Sequence, residues 1–189
     1  MEVELSVEGR QRRINTAVAM TVVLLSVFMG IAKIKDDNLV QAMQLAKSDA
    51  IDLWSEYQSR SIKQALAEST LQQLDIAAAA NPALAPRFTR QHGELQQKIA
   101  AYQQAIPATA AKARLREAEY NRLNVHDDQF DLCDAAIAIA IACAAVAALV
   151  EMWLPLLVAW GFGLFGAVFG LAGFCGWLLH PDWLMGLLS

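Results

Sequence analysis

Glycine is almost absent from the middle of this chain, and no run there is rich in β-branched and aromatic residues. That excludes a sheet between residues 36 and 131 and leaves helix. Cysteine is scarce as well. Cys133, Cys143 and Cys175 all lie in apolar blocks, with no CxxC pair and no zinc-type spacing. A zinc module and a secreted disulfide framework are therefore excluded. A clustered basic face is missing too: the net charge is −4 and the pI about 5.3. Nucleic-acid binding needs such a face to neutralise phosphates, so nucleic acid is not an expected partner. Nor does the sequence hold a nucleophile–base pair, a phosphate-binding loop or a metal or cofactor motif, so the expectation is a protein without enzymatic activity or cofactor.

What the chain has in quantity is apolar residues. They make up 56% of it, the mean hydropathy is +0.32, and they come in three blocks. The first, residues 14–35, carries no charge before Lys33. About 20 such residues cross the ~30 Å hydrocarbon core as a helix. Arg10, Arg12 and Arg13 before it, and Gly30-Ile31-Ala32 within it, also suit a cleaved signal peptide. The apolar run exceeds a usual signal core, which favours an anchor. The second and third blocks, residues 132–154 and 155–179, are separated by Glu151 and Pro155, and proline suits a first helical turn. They are expected to form a tight membrane hairpin. Trp153, Trp160, Trp177 and Trp183 are expected at its interfaces, and the tail 180–189 along the surface.

Residues 36–131 are rich in Gln and Ala and carry ten Lys/Arg and thirteen Asp/Glu. The strong break is Asn-Pro-Ala-Leu-Ala-Pro at 81–86, almost midway. Two arms of equal length let a chain leave a membrane and return to it. Leu39, Met43, Ala46, Ala50, Leu53 and Tyr57 form a stripe on the first arm, which then slips in phase to Ile62, Leu66 and Leu74. Phe88, Leu95, Ile99, Tyr102, Ile106, Ala113, Tyr120 and Leu123 form one on the second. Such stripes are what an antiparallel, coiled-coil-like hairpin buries. Pro107 is expected to kink or interrupt the second arm. The fold expected is all-α: three transmembrane helices plus a long extramembrane helical hairpin.

Residues 48–64 concentrate aromatic and charged groups. Trp54 and Tyr57 read as arm packing, Glu56–Arg60 as a favourable i,i+4 pair, and Asp52–Glu56 as an unfavourable one. The pattern Ser48-Asp49-x-x-Asp52-x-Trp54-x-x-Tyr57-Gln58-x-x-Ser61-Ile62-Lys63 resembles the hallmark of a bacterial membrane family, domain of unknown function four-three-three-seven. His126-Asp127-Asp128-Gln129-Phe130-Asp131, leading into the second span, resembles it again. The resemblance covers nearly the whole chain, implies the same order of parts, and carries no activity or cofactor with it.

The best candidate site is residues 126–134. Asp127, Asp131 and Asp134 recur at i, i+4 and i+7 on one helix face, with His126 beside them, so a hard cation is conceivable. The simpler reading is an interfacial charge cluster facing Lys33 and Lys35. Glu151 is the second candidate, either at an ion path or in the headgroup region. His92 and His180 have no partner in the sequence. The spans carry small residues at close-packing intervals: Ala136, Ala140, Ala144 and Ala148; Gly163, Gly166, Gly170 and Gly173; Ala17, Thr21 and Gly30. These exceed the needs of three helices, so the spans are expected to meet between protomers.

The arginines before the first span, against Lys33 and Lys35 offset by Asp36 and Asp37, favour a cytoplasmic N-terminus in the bacterial inner membrane, with periplasmic arms. The expected function is that of an oligomeric scaffold or accessory subunit, with lipid and other membrane subunits as partners. The alternative is a homo-oligomeric pore whose mouths carry Asp127, Asp131 and Asp134 at one end and Glu151 at the other.

Overall fold

The computed structural model describes residues 2–81, 83, 85–177 and 179, with side chains from residue 11 onward except at 85 and 87. Among these the chain forms three helices: α1 (Glu2–Ala80), α2 (Ala85–Val150) and α3 (Trp153–Cys175). Each contains a stretch long and apolar enough to cross a membrane. The first two spans do not end where the apolar blocks end. α1 and α2 run on through the polar region, because helical hydrogen bonds close within the backbone whatever side chains it carries. Only the side-chain composition changes along the helix.

The break falls at residues 81–84, inside the expected 81–86. Asn81 N–H donates to Ala77 O (3.1 Å), and Pro86 sits in the first turn of α2, where a missing N–H costs nothing. Pro82 lies outside the described residues, as do His180, Trp183 and the tail expected at the interface. Pro107 does not interrupt α2. Losing that hydrogen bond costs about 3 kcal/mol. The cost is spread over a 66-residue helix in which nearby Thr109 and Ala113 are buried.

α2 ends at Val150 and α3 begins at Trp153, so residues 151–152 join them. Glu151 takes a left-handed backbone (φ 55°) and Met152 an extended one, which reverses the chain without glycine. Pro155 follows within the first turn of α3. At the far end, Gly176 (φ 69°) closes α3, and the Trp177 N–H donates to Ala172 O (3.0 Å).

The chain divides into two compact units: residues 1–43 with 121–189, and residues 44–120. In the first unit, Ile14, Val18, Ala144, Ala147, Leu156 and Ala159 form one buried cluster. Ala32, Phe130, Cys133 and Ile137 form another, flanked by Leu25, Phe28 and Leu39. The glycine stripe of α3 is filled from within the chain. A Cβ on Gly166 would lie 2.8 Å from Ile137 and 3.0 Å from the Cys133 carbonyl oxygen; one on Gly170 would lie 2.8 Å from Cys133 Sγ and the Phe28 ring; one on Gly173 would lie 2.8 Å from Phe130. Gly163 meets Leu25, and its nearest α2 atom is Ala140 Cβ. Ala136, Ala140 and Ala144 are buried on α2, Ala148 packs half-buried against the first cluster, and Ala147 is buried in it as well. Gly30 faces open space and brings no helix close. Trp160 lies well inside α3 rather than at its end, and its indole N–H donates to Thr21 Oγ1 (2.9 Å).

In the second unit the contacts pair Lys47 with Tyr120, Asp49 with Arg116, Trp54 with Glu117 and Asp75 with His92. All eight stripe positions expected on the second arm are buried or half-buried. On α1 the phase does not slip. Ile62 and Leu66 are 68% and 66% exposed. The inward face continues from Leu53 and Tyr57 through Arg60, Gln64, Ala67, Leu71 and Leu74 at unbroken three–four spacing. Small and polar residues carry the seam there, so apolarity alone points to the wrong face.

Candidate functional site

The acidic cluster forms where residues 33–37 of α1 meet residues 126–134 of α2, both within the first unit. Its centre is Asp36, which the sequence reading passed over. Asp36 is 3% exposed. Its Oδ2 accepts from Lys33 Nζ at 2.7 Å, while its Oδ1 is buried and has no donor. Lys33 also reaches Asp37 at 3.7 Å. Asp36 lies on the inward stripe of α1, four residues after Ala32 and three before Leu39. A carboxylate at a seam position was a legible signal, since charge is costly there unless it is held.

From α2, Asp127 comes beside Asp36, and its carboxyl is pushed up to about 6 by burial first, then by Asp131 and Asp36. Asp131 is raised too, by burial and by Asp36, with Lys33 opposing. Asp134 Oδ1 is buried without a donor. Asp127 and Asp131 therefore face another acid as much as Lys33. A proton on Asp127 supplies a donor that Asp36 otherwise lacks. The arrangement can hold a proton near neutral pH. Among the described residues no group of three or more His, Cys, Asp or Glu side chains is disposed to hold a metal ion.

His126 turns elsewhere. Its Nδ1 lies 3.2 Å from Gln129 Oε1, and the fully buried Gln129 donates from Nε2 to Trp177 O (2.6 Å) and Leu179 O (2.8 Å). Gln129 thus ties the chain leaving α3 to α2. An amide is the one uncharged side chain that can donate twice and accept from a neighbour at once. Glu151 is apart from these acids and accepts from Gln11 Nε2 near the start of α1.

In the second unit, Trp54 Nε1 donates to Glu117 Oε1 (2.8 Å), and its ring meets Tyr57 edge-on at 5.4 Å. Arg116 bridges Asp49 (3.3 Å) and Glu119 (2.6 Å) beside a surface groove of about 570 Å³. His92 has the partner that the sequence did not reveal, Asp75 at 3.2 Å.

These features define an all-helical chain with three helices suited to cross a membrane and a charged cluster beside two of them. The chain belongs to the family described as domain of unknown function (DUF4337), whose model matches residues 14–176. Nothing among the curated proteins or the solved structures matches it.

Proposed function

We propose that this chain is a non-enzymatic protein of the bacterial inner membrane, an oligomeric scaffold or accessory subunit that works through an extramembrane helical hairpin. Three apolar stretches anchor it, and large apolar side chains such as Val23, Leu24, Val27 and Leu149 stay exposed along them, as lipid contact requires. The observation that carries the reading is the pairing within residues 44–120. Partners fall from Tyr120 by way of Arg116 and Glu117 to His92 as the first residue rises from Lys47 by way of Asp49 and Trp54 to Asp75, close to the register of two antiparallel helices. That hairpin spends its residues on a narrow seam and two long outer faces, the economy of a binding surface rather than of a catalytic pocket. The pore reading has less support, because Asp127 turns to Asp36 and Glu151 to Gln11 of the same chain.

Native mass spectrometry of protein released gently from its own membranes tests the proposal. A homo-oligomer of defined number, or a stoichiometric foreign subunit, is expected. A bare monomer that conducts ions after reconstitution would overturn it.

A further inference from the structure

The seam inside the second unit uses one side of α1; the opposite side is exposed and has its own pattern. At 100° per residue, Ile51, Ser55, Gln58, Ile62, Leu66, Ser69, Gln73 and Ile76 fall within an arc of about 80° and run about 38 Å along the helix. The four apolar members are 59%, 68%, 66% and 71% exposed in chain order. Their steps of three and four residues are those of a coiled-coil seam. Residues 51–80 include six charged side chains, Asp52, Glu56, Arg60, Lys63, Glu68 and Asp75, and every one lies outside the arc.

We propose that this outer face of α1 is the contact between two copies of the chain, with the two α1 helices parallel and in register. The inference rests on the membrane-anchored reading, since copies leaving one membrane face enter their arms in the same direction. In that register each residue meets its own counterpart about the two-fold axis. Any charge on the seam would then face a like charge, and the seam has none. A foreign partner imposes no such exclusion, because opposite charges could be matched across it. Ile51, Ile62, Leu66 and Ile76 meet themselves as apolar layers. Gln58 and Gln73 meet themselves as amide pairs, each able to donate and accept. Polar layers lower the stability of such a contact and fix its register. A weak contact suffices for copies that share a membrane, where the effective concentration is high.

The test is disulfide trapping of the full chain in its own membranes. The background is Cys175→Ser, because Cys175 is exposed, whereas Cys133 is buried and Cys143 half-buried. Ser55→Cys and Ser69→Cys are each expected to give roughly tenfold more disulfide-linked dimer than Lys63→Cys, since a disulfide needs Cα atoms within about 7 Å. Ile62→Asp added to either variant is expected to abolish the dimer while far-UV circular dichroism is unchanged. Equal trapping at 55, 63 and 69, cross-links only to another protein, or trapping of 55 with 73 but of neither with itself would overturn the proposal. Extraction of the same membranes with alkaline carbonate separates the two readings. Release of the chain sinks the membrane anchor, whereas retention without trapping sinks only the paired arms.

Discussion

Burial, with Asp131 and Asp36 close by, sets the proton affinity of Asp127. Asp127 takes up its proton at about 6 instead of 3.8. A raised carboxyl pKa means the folded chain holds a proton that the unfolded chain has released. The associated stability is complete below about 3.8 and lost as the pH rises through about 6. Thermal unfolding in mild detergent should therefore move up as the pH falls from 7.5 to 5, and Asp127→Asn should flatten that slope. The variant should also unfold about 2–4 °C higher than the native chain at pH 7.5, a small gain because Asp127 is still partly open to solvent. Asp36→Asn should lower the midpoint of the pH dependence without restoring the ordinary value, because burial is the larger cause. Three of the carboxylates were legible from their i, i+4, i+7 spacing. Their shared neighbour Asp36 stood out on the inward stripe of α1, but spacing along α2 cannot say which residue of α1 comes opposite.

The helices obey local rules where backbone chemistry decides and depart from them where tertiary contacts do. Apolar length, the Asn-Pro break and the stripe of the second arm could all be read directly. The persistence of α2 through Pro107, the outward turn of Ile62 and Leu66, and the left-handed Glu151 could not, because each depends on what packs alongside. The α3 glycines separate packing from propensity. Gly166→Ala should destabilise the first unit by about 1–3 kcal/mol, the usual cost of overpacking, since its Cβ would press on a backbone oxygen at 3.0 Å that cannot swing aside. Gly161→Ala meets open space and should be neutral or mildly stabilising, alanine being the better helix former. Thermal denaturation of the two variants side by side checks the contrast. Gln129→Leu keeps the volume but leaves His126 and two carbonyls without their partner. It should cost about 1–3 kcal/mol and raise hydrogen–deuterium exchange at residues 176–179.

At the scale of the whole molecule, one fact constrains every reading of function: a single helix, α1, carries both an apolar span and an arm face. On the proposed membrane-anchored reading, the orientation of the chain decides which compartment residues 44–120 can serve. The arginines before the first span, Arg12 and Arg13 among them, favour a cytoplasmic start. Asn81, exposed at the break between α1 and α2, reports on the far end of the arms. In a Cys175→Ser background, Asn81→Cys should react with a membrane-impermeant maleimide once the outer membrane is permeabilised and the inner membrane left intact. Labelling should match that seen after full lysis. Labelling that needs full lysis would place the arms in the cytoplasm and turn the search for a partner to that side. It would leave the seam on α1 unaffected, because two copies inverted together still present the same face to each other.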